Sequence, residues 1–309
     1  MPRPFRWCAT LRGSGAAALL GALLVVAVDA GAQPTSARVE RGRYLVESIL
    51  ACGNCHTPKS PDGAPIDSRN LSGGGLAISV PPFAGAASNI TPDPETGIGR
   101  WSDDDIKRAI VEGKRPSHGR LANTELAVVM ATSFFKALTP SDLDAVVAYL
   151  RSVPAIRNEV APPVYRMAQR HQPFPDAEAG FSDARMSDPV YRGRYLATIG
   201  HCLECHSPQE KGVFDYGRLG AGGRVFNVQL VQGFPSGWTG SRAANITSHP
   251  TAGIGAWTDD EIKRAIAKGI SRDGRKLQPP MGISYYARLS PSDLSAIVAY
   301  LRTLPPLEK

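Results

Sequence analysis

Cys52-Gly53-Asn54-Cys55-His56 and Cys202-Leu203-Glu204-Cys205-His206 are the segments of this chain whose residue types and spacing carry the most definite chemistry. Two thiols separated by two residues, with an imidazole directly after the second, are what covalent haem attachment requires: two thioethers to the vinyl groups and a histidine set below the iron. A redox-active Cys-x-x-Cys pair would want a βαβ setting, which the surrounding pattern does not offer. A four-cysteine zinc site would have to gather both pairs across 146 intervening residues and would leave both histidines without a purpose. The expected cofactors are therefore two covalently bound haem c groups. Cys52, Cys55, Cys202 and Cys205 are their attachment points, and His56 and His206 are axial iron ligands.

A low-spin electron carrier needs a sixth ligand, and methionine opposite histidine raises the potential. Beyond residue 32 the methionines are Met130, Met167, Met186 and Met281. Met130 lies 74 residues after His56, and Met281 lies 75 after His206. Aromatic pairs follow each at the same offset, Phe134-Phe135 and Tyr285-Tyr286. That shared register makes Met130 and Met281 the expected distal ligands, although Met130 has no counterpart of the Gln278-Pro279-Pro280 that precedes Met281. Met167 and Met186 are expected to be packing residues. His118, on a Pro-Ser-His-Gly turn, is the competitor to Met130, with a solvated turn as its other reading.

Such sites need elements to hold them, and the chain supplies these twice. Arg41-Gly42-Arg43-Tyr44-Leu45 recurs as Arg192-Gly193-Arg194-Tyr195-Leu196, Asn89-Ile90-Thr91 as Asn245-Ile246-Thr247, and Gly97-Ile98-Gly99-x-Trp101 as Gly253-Ile254-Gly255-x-Trp257. Unit one spans 37–155 and unit two 188–305. Residues 156–187, with Pro162, Pro163, Pro173 and Pro175, read as a linker or a strap over one unit. Periodicity within the units is helical: Ile106, Ala109 and Ile110, like Ile262, Ala265 and Ile266, recur at i, i+3, i+4. Ser102 and Thr258 followed by acidic turns, Thr139-Pro140 and Ser290-Pro291 mark helix starts; Gly113 and Gly269 mark ends. No run alternates for long at strand period, so the expected class is all-α. Asn89 and Asn245 read as turn residues. Trp101 and Trp257 read either as caps or as donors to a haem propionate.

With these motifs in place, the chain resembles the diheme cytochrome c subunits that accept electrons from periplasmic dehydrogenases of the alcohol, gluconate and molybdenum hydroxylase type. The resemblance covers about 37–305 and implies two tandem cytochrome c domains. Several relatives in the alcohol and gluconate systems carry three haems, whereas two attachment motifs predict two here. The implied function is transfer of electrons from a partner dehydrogenase to another cytochrome, a quinone site or an oxidase, with no catalytic residues of its own. The alternative is a diheme peroxidase-like oxidoreductase with one displaceable axial ligand. The four tyrosines Tyr44, Tyr149, Tyr195 and Tyr300 resemble those at the crossing of first and last helices in small cytochromes c. There, Gly42 and Gly193 would allow close approach.

Composition agrees with this and narrows the partners. With 42% hydrophobic and 20% charged residues, the chain is neither a disordered tail nor a multispan membrane protein. Arg3, Arg6 and Arg12 precede an apolar run from Ala16 to Val28, and Ala30-Gly31-Ala32 fits a cleavage site, so residues 1–32 read as a signal peptide and the protein as periplasmic. Read instead as a retained anchor, that run is too short to cross about 30 Å of hydrocarbon. No membrane span is expected in the mature chain. The formal charge of +7 includes those three arginines and Asp29, and two haems would add four propionates. The small remainder leaves no basic field for nucleic acid.

Overall fold

A computed structural model describes residues 32–308; the expected export segment, apart from Ala32, lies outside the described residues. In chain order the helices of the first repeat are α1 (Ala32–Glu47), α2 (Cys52–His56), α3 (Asp103–Glu112), α4 (Thr132–Phe135) and α5 (Pro140–Ser152). The connecting segment contributes α6 (Pro175–Ala179). The second repeat follows with α7 (Pro189–Ile199), α8 (Cys202–Cys205), α9 (Asp259–Lys268), α10 (Ile283–Tyr286) and α11 (Pro291–Leu301).

Local chemistry explains the helix boundaries. Ser102 and Asp105 at the start of α3, and Thr258 and Glu261 at the start of α9, form reciprocal capping boxes that satisfy otherwise orphaned amides. Both helices stop at glycines in the left-handed region, Gly113 at φ 69° and Gly269 at φ 63°. Thr139 and Ser290 cap α5 and α11, each with proline in the first turn.

In each repeat the first and last helices cross at a glycine. A Cβ on Gly42 would lie 1.9 Å from the Ala145 carbonyl oxygen, and one on Gly193 would lie 1.8 Å from that of Ala296. Backbone therefore touches backbone, and Leu45, Val46, Leu196 and Ile297 close around each crossing as fully buried core.

The expected all-α class is overturned by strands at β1 (Ala77–Val80), β2 (Phe83–Ala86), β3 (Val164–Tyr165), β4 (Gln209–Glu210), β5 (Val213–Phe214), β6 (Val225–Phe226), β7 (Val231–Gln232) and β8 (Ser241–Arg242). The fold is mixed. One antiparallel sheet runs β3-β2-β1-β7; β4 pairs with β5 and β6 with β8. These strands are two to four residues long, too short to show a period of two. The main sheet also draws on three parts of the chain: a hairpin in the first repeat, the connecting segment, and a loop of the second repeat. Such partners come from tertiary structure, which overrides local pattern.

The connecting segment lies across the first repeat. Phe174 is buried against Phe134 at a centroid distance of 4.5 Å, and Gln169 and His171 hydrogen-bond to residues 126–132. Met186 packs against the core, but Met167 does not: at 62% exposure it is a surface residue, contrary to the packing role expected of it.

The two repeats also interlock. Asp142 receives both Arg41 nitrogens at 2.8 Å from its own repeat and the Tyr195 hydroxyl at 2.6 Å from the other. Asp293 mirrors it, accepting from Arg192 at 2.6 Å and from Tyr44 at 2.5 Å.

Candidate haem sites

Each attachment motif follows a residue in the left-handed region, Ala51 at φ 48° and His201 at φ 41°, which turns the chain sharply out of α1 or α7 into the short motif helix. None of Cys52, Cys55, Cys202 and Cys205 is paired in a disulfide. Burial pushes Cys52 and Cys202 up to about 12 and Cys55 up to about 11, so these groups are neutral and in apolar surroundings.

The two motif histidines are held alike. His56 Nδ1 donates to the Ser88 carbonyl at 2.7 Å, and His206 Nδ1 donates to the Ala244 carbonyl at 2.7 Å. Withdrawal from solvent lowers the pKa of both imidazoles. A neutral ring that donates through Nδ1 keeps its lone pair on Nε2, the tautomer an iron ligand requires. Behind each ring, the histidine carbonyl accepts from a glycine amide at 2.7 Å, Gly73 in one repeat and Gly222 in the other. The donor set fits haem c: two cysteines, and an oriented imidazole immediately after them. Ser88 and Ala244 act only through their carbonyls, so their identities gave no signal in the sequence.

Met130 and Met281 occupy equivalent places. Each is partly buried, and each backbone carbonyl accepts from the amide two residues on, Thr132 at 2.7 Å and Ile283 at 2.9 Å, at the start of α4 or α10. Those helices carry the aromatic pairs inward: Phe134, Phe135 and Tyr285 are buried. Tyr286 packs against the core, and burial raises its pKa well above the usual tyrosine range. Each motif region meets the methionine helix of the other repeat, Gly53 packing against Tyr285 and His201 against Phe135. Phe135 sits edge-on to His201 at 5.9 Å, and His201 Nδ1 lies 3.1 Å from Glu204. His118 is exposed, with Nε2 3.2 Å from the Arg100 carbonyl, and His249 accepts from the Ala252 amide at 3.0 Å.

Asn89 and Asn245 do more than form turns. Each side-chain oxygen accepts from the amide and hydroxyl of the threonine two residues on. Each Nδ2 clamps the chain leaving the last helix, at the Ile156 carbonyl (2.7 Å) or the Leu307 carbonyl (2.6 Å). Trp101 and Trp257 pack against the core, and their carbonyls accept from Arg151 and Arg302.

Comparison with known proteins agrees with this geometry. The family model for cytochrome c matches residues 190–305. The chain is 31% identical, over 87% of its length, to a nicotinate dehydrogenase subunit of Pseudomonas putida, covering 22% of that protein. It is 29% identical, over 93% of its length, to the gluconate 2-dehydrogenase cytochrome c subunit of Pantoea cypripedii, covering 64% of it. A diheme cytochrome c-type protein of Cereibacter sphaeroides is 39% identical over 38% of this chain and 36% of its own. The chain thus spans less than two thirds of the length of each of these relatives. Among the described residues no helix is long and apolar enough to cross a membrane.

Proposed function

Because residues 190–305 are a cytochrome c domain and the chain is a relative of the cytochrome c subunits of dehydrogenases, we propose that it is a periplasmic diheme electron carrier. It takes electrons from a partner dehydrogenase and passes them to another cytochrome, a quinone site or an oxidase. Haem iron supplies the one-electron chemistry. Cys52, Cys55, Cys202 and Cys205 would supply the thioethers, and His56, His206, Met130 and Met281 would hold the iron. The observation that carries the reading is the repetition of one geometry: in both repeats a carbonyl fixes the motif histidine through Nδ1, and a methionine precedes a short aromatic helix. Were these histidines and methionines all to hold iron, no position would remain for substrate, and the protein's task would be to hold and tune its cofactors.

The test is a pair of substitutions. Met130→Ala is expected to convert one haem to high spin or to another ligand and to weaken the sulfur-to-iron absorption in the red; His118→Ala is expected to leave the spectrum unchanged. The opposite result would make His118 the ligand. Purified protein should be reduced rapidly by its dehydrogenase in stopped-flow mixing and should turn over peroxide only slowly. Substantial peroxide turnover would instead support a peroxidase with a displaceable ligand.

A further inference from the structure

The two methionine segments are held by different parts of the chain. In the first repeat the connecting segment does it: Gln169 Oε1 accepts from the Val128 amide at 3.2 Å, and the His171 ring reaches the Leu126 carbonyl and the Thr132 hydroxyl. In the second repeat, Met281 follows Pro279-Pro280, and prolines offer no N–H by which a neighbour could grip the backbone. Their carbonyls are the remaining backbone handles, and both are taken. The Ser241 hydroxyl donates to the Pro279 carbonyl at 2.6 Å from within the same repeat. Asn54 Nδ2 donates to the Pro280 carbonyl at 2.9 Å from the other one.

Asn54 stands between the two cysteines of the first attachment motif, so a residue of one haem site grips the ligand segment of the other. The packing around it is close. A Cβ on Gly53 would lie 2.4 Å from the Tyr285 hydroxyl, and one on Gly282 would lie 3.4 Å from the Ala51 side chain. The arrangement is not symmetric. The position matching Asn54 is Glu204, whose carboxylate faces His201 and Arg224 within its own repeat.

We propose that Asn54 is a positioning residue for Met281: by holding the Pro280 carbonyl it keeps the second haem's sulfur ligand seated and links the ligation of the second iron to the folding of the first site. This rests on the assignment of Met281 as ligand. With the segment released, the sulfur would leave the iron more often, and an outside ligand would bind more tightly in proportion to that open fraction.

Imidazole titration of the oxidised two-haem protein reads this directly, with Met281→Ala used to identify which haem's spectrum is the second. Asn54→Asp keeps the size of the side chain and removes its donor. It should bind imidazole about fivefold more tightly at the second haem, the factor that one ordinary hydrogen bond supplies, with the first haem unchanged. Gln169→Ala should act on the first haem instead. Mass spectrometry confirms two haems per chain in each variant; if Asn54→Asp loses one, Asn54→Ala takes its place. Unaltered imidazole affinity at the second haem in an Asn54 variant that keeps both haems, alongside a clear effect of Met281→Ala, would overturn the positioning role alone. No spectral effect of Met281→Ala would overturn the ligand assignment and the proposal with it.

Discussion

Gly193→Ala is expected to destabilise the second repeat by more than about 3 kcal/mol, because the added methyl must occupy a point 1.8 Å from the Ala296 carbonyl oxygen and 2.9 Å from the Tyr300 Cβ. Neither neighbour can yield cheaply: one is helix backbone, and the other is the first atom of a buried side chain. The helices α7 and α11 must move apart, opening the core around Leu196 and Ile297. Gly42→Ala should behave alike, with its methyl 1.9 Å from the Ala145 carbonyl oxygen. Thermal melting of the haem-loaded protein should show a fall of about 10 °C or more. A fall of only a degree or two would mean that the helices do not cross at the glycines.

Asp293→Ala should cost about 2–3 kcal/mol, by leaving the partly exposed Arg192 guanidinium and the Tyr44 hydroxyl without their shared acceptor. Asp293 is 1% exposed, so water cannot replace the carboxylate without rearrangement. Because Arg192 belongs to one repeat and Tyr44 to the other, the substitution should lower the denaturant midpoint of both together. Tyr44→Phe removes this one link between repeats, with the bond its hydroxyl accepts from the Ser290 amide, while leaving Tyr195–Asp142 in place, and should cost about 1 kcal/mol. Loss confined to the second repeat in Asp293→Ala, with no effect from Tyr44→Phe, would show that the repeats fold independently.

The helical parts of this fold were legible because their signals are local. A serine or threonine before an acidic turn, a proline after a cap, and a glycine at a C-terminus each act within four residues of the boundary they set. The repeat itself was equally plain, since Arg-Gly-Arg-Tyr-Leu and Cys-x-x-Cys-His recur in register. What the sequence concealed depends on distant partners. Phe83 and Tyr165 look alike whether or not they meet in a sheet. Nothing beside them in the chain signals that Asp142 and Asp293 each join an arginine of their own repeat to a tyrosine of the other. Tyr44 and Tyr195, placed at helix crossings, turn out to reach across the junction. The asparagines Asn89 and Asn245 showed their turn chemistry but not the carbonyls 62 to 67 residues away that they clamp.

Two covalent haems, one on each attachment motif, are expected in the chain, and denaturing mass spectrometry of the purified protein counts them directly. The expected mass is the polypeptide plus two haems that survive unfolding. Replacing Cys202 and Cys205 with alanine should remove one haem, and replacing all four motif cysteines should remove both. A wild-type mass with a single haem, or with none retained after denaturation, would mean that the chain does not hold two covalent haems.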